Sequence, residues 1–293
     1  MSRTIAILGA ANTGKTTLTD AFCALEGSAP PAAGPGELRV ADFAHLGDRW
    51  QAIDTPGAIE FLHVARAALL AADAAVICVS PDPASAVLAA PYLQATESAG
   101  TPTLIFVNRI DEAQERLRDI VAALQDYVEH PVLIRQIPIR EDDRVVGAVD
   151  LVSERAWAYT EGGPSRLIEI PAGIADREHE ARDDLLEHLA DFDDALLEQL
   201  IEDKTPAGED VYALCTRAFA ENQMIEALIG SGLHGNGVHR LLKALRHETP
   251  GPHALRARLA EQTGGSAPAA VIFSGGYRKH MGRTALLLSL IHI

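Results

Sequence analysis

The run Gly9-Ala10-Ala11-Asn12-Thr13-Gly14-Lys15-Thr16 constrains the fold of this chain more than any other feature, because it fits the pattern G-x-x-x-x-G-K-T in full. Its setting is also the one that gives the pattern meaning. An apolar run, residues 4–8, precedes it as a buried strand would, and a helical pattern follows. A strand that ends in a glycine-rich turn and feeds a helix points successive backbone N–H groups at one spot beside the positive end of the helix, which suits a chain of phosphates. Gly9, Asn12, Thr13, Gly14 and Thr17 belong to this cradle, Lys15 reaches the outer phosphates, and the Thr16 hydroxyl stands ready to ligate Mg²⁺. The bland alternative is an ordinary glycine turn entering a helix. Full agreement with the pattern, in the right place, favours the phosphate cradle.

A strand followed by a helix is one unit of a repeating theme. Residues 4–8, 49–53, 75–79 and 103–107 read as buried strands, with amphipathic segments between them, so a mostly parallel sheet with helices on both faces is expected. The texture changes at residue 131. Residues 132–139 and 145–149 flank the polar turn 140–144 as one hairpin, opening an inserted α+β subdomain over about residues 132–215. Within it, residues 173–203 are helical in pattern and carry twelve acidic residues against Arg177 and Arg182. A solvated acidic face is the simplest account. Residues 223–229 return to strand texture, a helix follows at 238–247, and breaks rich in Pro and Gly fall at 249–252 and 263–268. Residues 269–273 and 284–288 read as strands of another domain.

Two further motifs follow the first in order. Asp54-Thr55-Pro56-Gly57 puts an acid at a strand end, where Asp54 would hold the Mg²⁺ shell, and a glycine whose bare backbone can approach a terminal phosphate. Alone, such a turn is as often structural. Asn108-Arg109-Ile110-Asp111 ends another buried strand, and a carboxylate at Asp111 accepts from the two adjacent N–H donors that guanine has and adenine lacks. A helix N-cap is the competing role for Asp111, since a helical pattern spans residues 112–127. Taken together, the three motifs favour GTP and GDP over ATP.

The 293-residue chain has 25 basic and 41 acidic residues, a net charge of −16 that opposes diffuse binding to nucleic-acid backbones, so no free DNA partner is expected. Its longest apolar stretch, residues 67–80, is broken by Asp73 and is shorter than the ~20 residues that span a bilayer. A cytoplasmic monomer is expected, without membrane contact. Cys23, Cys78 and Cys215 stand too far apart for a zinc pattern or a disulfide framework.

The three motifs, in this order, resemble the G domain of translational GTPases, a P-loop NTPase fold, and among them the elongation factor G family. DTPGAIEF at 54–61 is similar to that family as well, and GAVDL at 147–151, Ile170-Pro171 and the helical segment 185–200 are similar to its inserted subdomain. Ser231, Gly232 and Leu233, followed by Gly235-Asn236-Gly237, resemble the loop that contacts guanine from its other side. RQIPIR at 135–140 and LLKALRHE at 241–248 look most like the elongation-factor-G-like branch of alphaproteobacteria. The resemblance implies a ribosome-associated GTPase switch that meets the factor-binding site and the stalk protein, the latter through the acidic insertion.

It also exposes departures. Arg109 stands where the family has Lys, and Gly232 where it has Ala. Position 58 is alanine where the family has the histidine that orients the attacking water, so no catalytic residue is assigned and hydrolysis is expected to be slow. Residues 28–50 contain no Thr to close over Mg²⁺, and the Ala, Pro and Gly stretch 29–36 reads as a mobile loop. The expected domains are a GTP-binding domain over residues 1–260, the start of a truncated β-barrel at 266–287, and a non-native tail at 288–293. The tail's residues are what CTG TCT CTT ATA CAC ATC encodes, a sequencing-library adapter end, so an N-terminal gene fragment is expected. Besides a GTPase switch, a binding module with little turnover and a P-loop GTPase unrelated to translation fit the first three motifs.

Overall fold

The computed structural model describes residues 2–29, 32, 34, 36–160, 163–265, 268 and 270–290. Its first part runs β1 (Ser2–Leu8), α1 (Lys15–Ala24), β2 (Arg39–His45), β3 (Asp48–Asp54), α2 (Leu62–Leu69), β4 (Ala74–Val79), α3 (Ala86–Ala99), β5 (Thr103–Val107), α4 (Leu117–Gln125) and β6 (Val132–Ile134). The insertion then contributes β7 (Gln136–Glu141), β8 (Arg144–Asp150), β9 (Arg155–Thr160), β10 (Gly163–Ile168), α5 (Ala175–Ala190), α6 (Asp194–Ile201) and α7 (Gly208–Ala220). The chain returns through β11 (Ile225–Ile229), α8 (Val238–Glu248) and α9 (Pro252–Gln262) to a hairpin of β12 (Ala270–Arg278) and β13 (Gly282–Ser289).

Seven strands form one sheet in the order β2-β3-β1-β4-β5-β11-β6, parallel throughout except for the antiparallel β2–β3 edge. Strands β4, β5 and β11 are buried along their whole length, as apolar runs without alternation require when helices cover both faces. Successive side chains of β1 divide between two cores. Ile5 and Ile7 pack with Leu18 and Phe22 of α1 and Leu241 of α8, while Ala6 and Leu8 pack with Leu69 of α2 and Leu93 of α3. The first of these cores continues into the insertion through Val149, Leu189 and Phe219, so the two regions share buried surface.

The α/β architecture expected from the sequence is present, with corrections in detail. Residues 132–139 are two strands, because the chain leaves the large sheet at Arg135 and enters a separate antiparallel sheet ordered β10-β9-β8-β7. The Arg135 N–H donates to the Ala227 carbonyl and the Arg135 carbonyl accepts from the Leu151 N–H, one bond to each layer. The insertion accordingly holds a four-stranded sheet where one hairpin was expected. Beyond the stretch 29–36 that was read as a loop, the segment 28–50 forms β2, held by Phe43, which stacks between Phe22 and Trp50 at centroid distances of 5.2 and 6.2 Å. Residues 30, 31, 33 and 35 of the Ala, Pro and Gly stretch lie outside the described residues, as do 266, 267, 269 and 291–293 of the expected barrel start and tail. Between the two expected breaks stands α9, whose Leu255 and Leu259 pack against Val271 and Leu288 of the terminal hairpin. Among the described residues no helix is long and apolar enough to cross a membrane.

Candidate functional site

Each functional segment leaves the carboxyl end of a parallel strand, so the sheet brings them to one edge, where open α/β sheets form their clefts. After β1, the loop 9–14 closes at Gly14, whose φ of +85° opens α1 in the left-handed region. A side chain there would strike the Asn108 amide nitrogen, so Gly14 is required on two counts. Lys15 folds back to donate to the Ala10 carbonyl at 2.7 Å, and Thr13 Oγ1 donates to the same oxygen at 3.0 Å. Burial lowers the Lys15 pKa, opposed by the Asp54 carboxylate.

At the end of β3, Asp54 Oδ2 accepts from Thr16 Oγ1 at 2.9 Å. Its other oxygen is buried without a hydrogen-bond partner among the described residues. Burial raises the Asp54 pKa, with the Thr16 hydroxyl and the Arg39 and Lys15 charges pulling the other way. A hydroxyl and a carboxylate with an unused buried oxygen are hard donors that fit Mg²⁺, which takes one or two protein ligands and fills its octahedron with phosphate and water. Gly57 follows, with its carbonyl accepting from Tyr92 Oη at 3.0 Å. A Cβ at Gly57 would meet the Lys15 ammonium and lie 2.7 Å from the Ala10 carbonyl, so the loops 9–14 and 54–57 touch only because this residue has none. Ala58, extended at φ −80° and ψ 139°, is half-buried and leads into the 3₁₀ turn Ile59–Phe61.

Asn108, at the end of β5, ties the loops together. Its Nδ2 donates to the Thr13 carbonyl at 2.8 Å, and its Oδ1 accepts from the Gly232 N–H at 2.8 Å. Arg109 takes the left-handed conformation at φ +55°, donates to Ser80 Oγ at 2.9 Å and stands 3.7 Å from Glu112. Asp111 lies in the 3₁₀ turn Ile110–Glu112, and the N-cap of α4 is Arg116, so Asp111 caps no helix. Its carboxylate is 3.6 Å from His234 Nε2, with a third of its side chain exposed. The Gly230 carbonyl accepts from the Ile110 N–H at 3.0 Å, placing residues 231–233 opposite Asp111.

The resulting cleft, about 490 Å³, is lined by Asn12, Gly14, Lys15, Thr16, Thr17, Asn108, Arg109, Asp111, Glu112, Ser231 and Leu233. Thr13 and Gly232 brace it from behind through Asn108, and Asp54 and Gly57 stand at the Lys15 end. Sequence reasoning missed Arg39, Ser80, Tyr92 and His234. Their partners are far away along the chain, and no local pattern marks them.

Residues 37–251 match the family described as Elongation factor Tu GTP binding domain; the loop 9–16 precedes that match. An elongation factor G-like protein of Synechocystis sp. is 31% identical over 303 residues, 97% of this chain and 45% of its own length. Elongation factor G 1 of Geobacter sulfurreducens is 27% identical over 207 residues, 70% of this chain and 30% of that one. The mitochondrial elongation factor G of Aedes aegypti is 28% identical over 202 residues, 68% and 27% of the two chains. A crystal structure of a Thermus thermophilus protein superposes with a TM-score of 0.83 at 27% identity, covering 98% of this chain and 45% of that one. This chain thus spans less than half the length of the relatives it matches. With that match extending over most of the sheet and its returning strand, the chain belongs to the elongation factor Tu GTP binding domain family.

Proposed function

We propose that this chain binds GTP and GDP in the cleft between residues 9–17 and 108–111, and serves as the nucleotide switch of an elongation-factor-G-like protein that acts on the ribosome in the cytoplasm. The observation that carries the reading is the Asn108 side chain, which locks the phosphate loop to the segments flanking Asp111 and so fixes the distance between phosphate and base sites before any ligand arrives. Lys15 and the backbone of residues 9–17 hold the phosphates. Thr16 and Asp54 hold Mg²⁺, which neutralises charge on the outer phosphates when bound. Asp111 reads guanine, the Arg109 stem covers the base plane, and residues 231–233 close the far side. The hairpin sequences at 135–140 and 147–151 favour the alphaproteobacterial branch, and the acidic helices α5 and α6 are the surface offered to the stalk protein.

Titration with a fluorescent GTP analogue, with unlabelled ATP and GTP as competitors, tests the reading. Micromolar or tighter binding is expected. Asp111→Asn removes two charge-assisted hydrogen bonds of about 1.5–3 kcal/mol each, so GTP affinity is expected to drop about 100-fold or more. Unchanged preference for GTP over ATP in that variant would remove Asp111 from base reading.

Ala58 favours a second reading, binding with little turnover, because its methyl group offers no hydrogen bond to a water. Loss of one polar contact to the reacting centre typically costs about 10²–10³-fold in rate. Single-turnover hydrolysis with ribosomes is expected to be slow for the natural chain and faster for Ala58→His. Rapid hydrolysis by the unmodified protein would defeat this second reading and leave the binding assignment intact.

A further inference from the structure

Behind the Asp54 turn, one guanidinium, that of Arg39, stands between two carboxylates, Asp54 and Asp20. Arg39 opens β2, directly across the antiparallel ladder from Asp54. Cross-strand neighbours have Cβ atoms about 4.5–5.5 Å apart, so the sheet itself delivers the guanidinium to that carboxylate. The Arg39 NH2 group lies 3.2 Å from Asp54 Oδ2, the oxygen that also accepts from Thr16, and donates to the Thr16 carbonyl at 3.2 Å. Its NH1 group lies 2.7 Å from Asp20 Oδ1 on α1. Only a tenth of the Arg39 side chain is exposed. The contacts with Asp20 and the Thr16 carbonyl involve neither of the two side chains that suit Mg²⁺, so they hold the guanidinium in place independently of the cation site.

We infer that Arg39 is a resident counter-ion of the phosphate–metal site, and that it makes guanine-nucleotide binding by this chain only weakly dependent on a divalent cation. A guanidinium is charged at every accessible pH. Placed against Asp54, it neutralises the carboxylate that would attract Mg²⁺ and repels the arriving ion. With the Asp54 charge already met, Mg²⁺ gains less at that carboxylate, so Mg²⁺ and nucleotide each gain less from the presence of the other. The inference rests on reading the cleft as a guanine-nucleotide site.

The test is the affinity of the 293-residue chain for a fluorescent GDP analogue in excess EDTA and in millimolar Mg²⁺, for the natural protein, Arg39→Gln and Arg39→Lys. Mn²⁺ uptake by the GDP complex, read by electron paramagnetic resonance, is the second readout. Site–site couplings usually amount to about 5–150-fold. The natural chain is expected at or below about fivefold between the two conditions, with Arg39→Gln rising to at least about 20-fold and taking up Mn²⁺ at lower concentration. Arg39→Lys, which keeps the charge, is expected to stay within about threefold of the natural chain. A loss of more than about 100-fold on chelation in the natural protein would overturn the inference with no variant needed. So would Arg39→Gln matching the natural chain, or Arg39→Lys behaving like Arg39→Gln. Absence of GDP binding in both conditions would instead overturn the reading of the cleft on which the inference stands.

Discussion

Replacing Arg135 by Met removes the positive charge at the centre of a buried group of acids, at the junction of the two sheets. NH1 of Arg135 donates to both Glu226 oxygens at 2.9 and 2.8 Å and to Glu248 Oε1 at 2.9 Å, while Nε lies 3.6 Å from Asp150. The side chains of Arg135, Glu226 and Glu248 are at most 5% exposed. Removing one partner of such a buried cluster costs about 3–5 kcal/mol, because the remaining charges have neither water nor a counter-ion. At about 2 °C per kcal/mol for a chain of this size, the melting temperature is expected to fall by about 6–10 °C at pH 8, followed by circular dichroism. The deficit should shrink toward pH 5. Burial, above all, and then Glu248 hold the Glu226 pKa above its ordinary value, and loss of Arg135 raises it further. A carboxyl raised in the folded state contributes stability that is full below its unfolded pKa and is lost as pH rises through the folded one. The variant therefore suffers most where the unfolded chain is fully ionised. A companion Arg135→Met, Glu226→Leu, Glu248→Leu should recover most of the loss. An Arg135→Met protein melting within about 2 °C of the natural chain at pH 8 would refute the account.

Two further substitutions probe the cleft. Asn108→Ala leaves the Thr13 carbonyl and the Gly232 N–H unpaired in a buried place, at about 1–3 kcal/mol each, so calorimetric GDP affinity is expected to drop about 30-fold or more; a change under about threefold would show that the loops hold their spacing without it. Gly57→Ala drives a methyl into the Lys15 ammonium and the Ala10 backbone, and a loss of GTP affinity of at least about tenfold is expected; unaltered affinity would mean that the turn yields freely.

What could be read in the sequence was local. The loop 9–14, the strands before Asp54 and Asn108, and β11 announce themselves by apolar runs that end in a glycine or a polar turn, and the fold places these strands and the loop where the pattern put them. The run 132–139 misled because Arg135 sits among apolar neighbours as a single tolerated charge, and its partners Glu226 and Glu248 come from the other end of the domain. Strand β2 does alternate, with Ala41 and Phe43 facing inward, but the Pro and Gly stretch before it hid a short signal. In α9, Pro252 at the first turn and the spacing of Leu255 and Leu259 mark a helix that the flanking breaks obscured. Arg39 was silent for the same reason as Arg135: its meaning lies in Asp20 and Asp54, which only the sheet register brings to it.

The position of β11 gives the shared core a functional consequence. Glu226, near the start of this strand, anchors the Arg135 cluster that joins the insertion to the large sheet, and four residues later Gly230 accepts from Ile110 and leads into the loop facing Asp111. At about 3.3 Å per residue the two points are roughly 13 Å apart along one fully buried strand. Val107 and Gly230 are joined by a backbone hydrogen bond, so β11 cannot shift along β5 without moving the loop that faces Asp111. Arg135, bonded to Glu226 on β11 and 3.6 Å from Asp150 on β8, couples the sheet of the insertion to this strand. Asn108 then carries the position of that loop to the Thr13 carbonyl, so on the proposed reading a substitution that loosens the insertion, such as Arg135→Met, is expected to weaken GDP affinity as a whole.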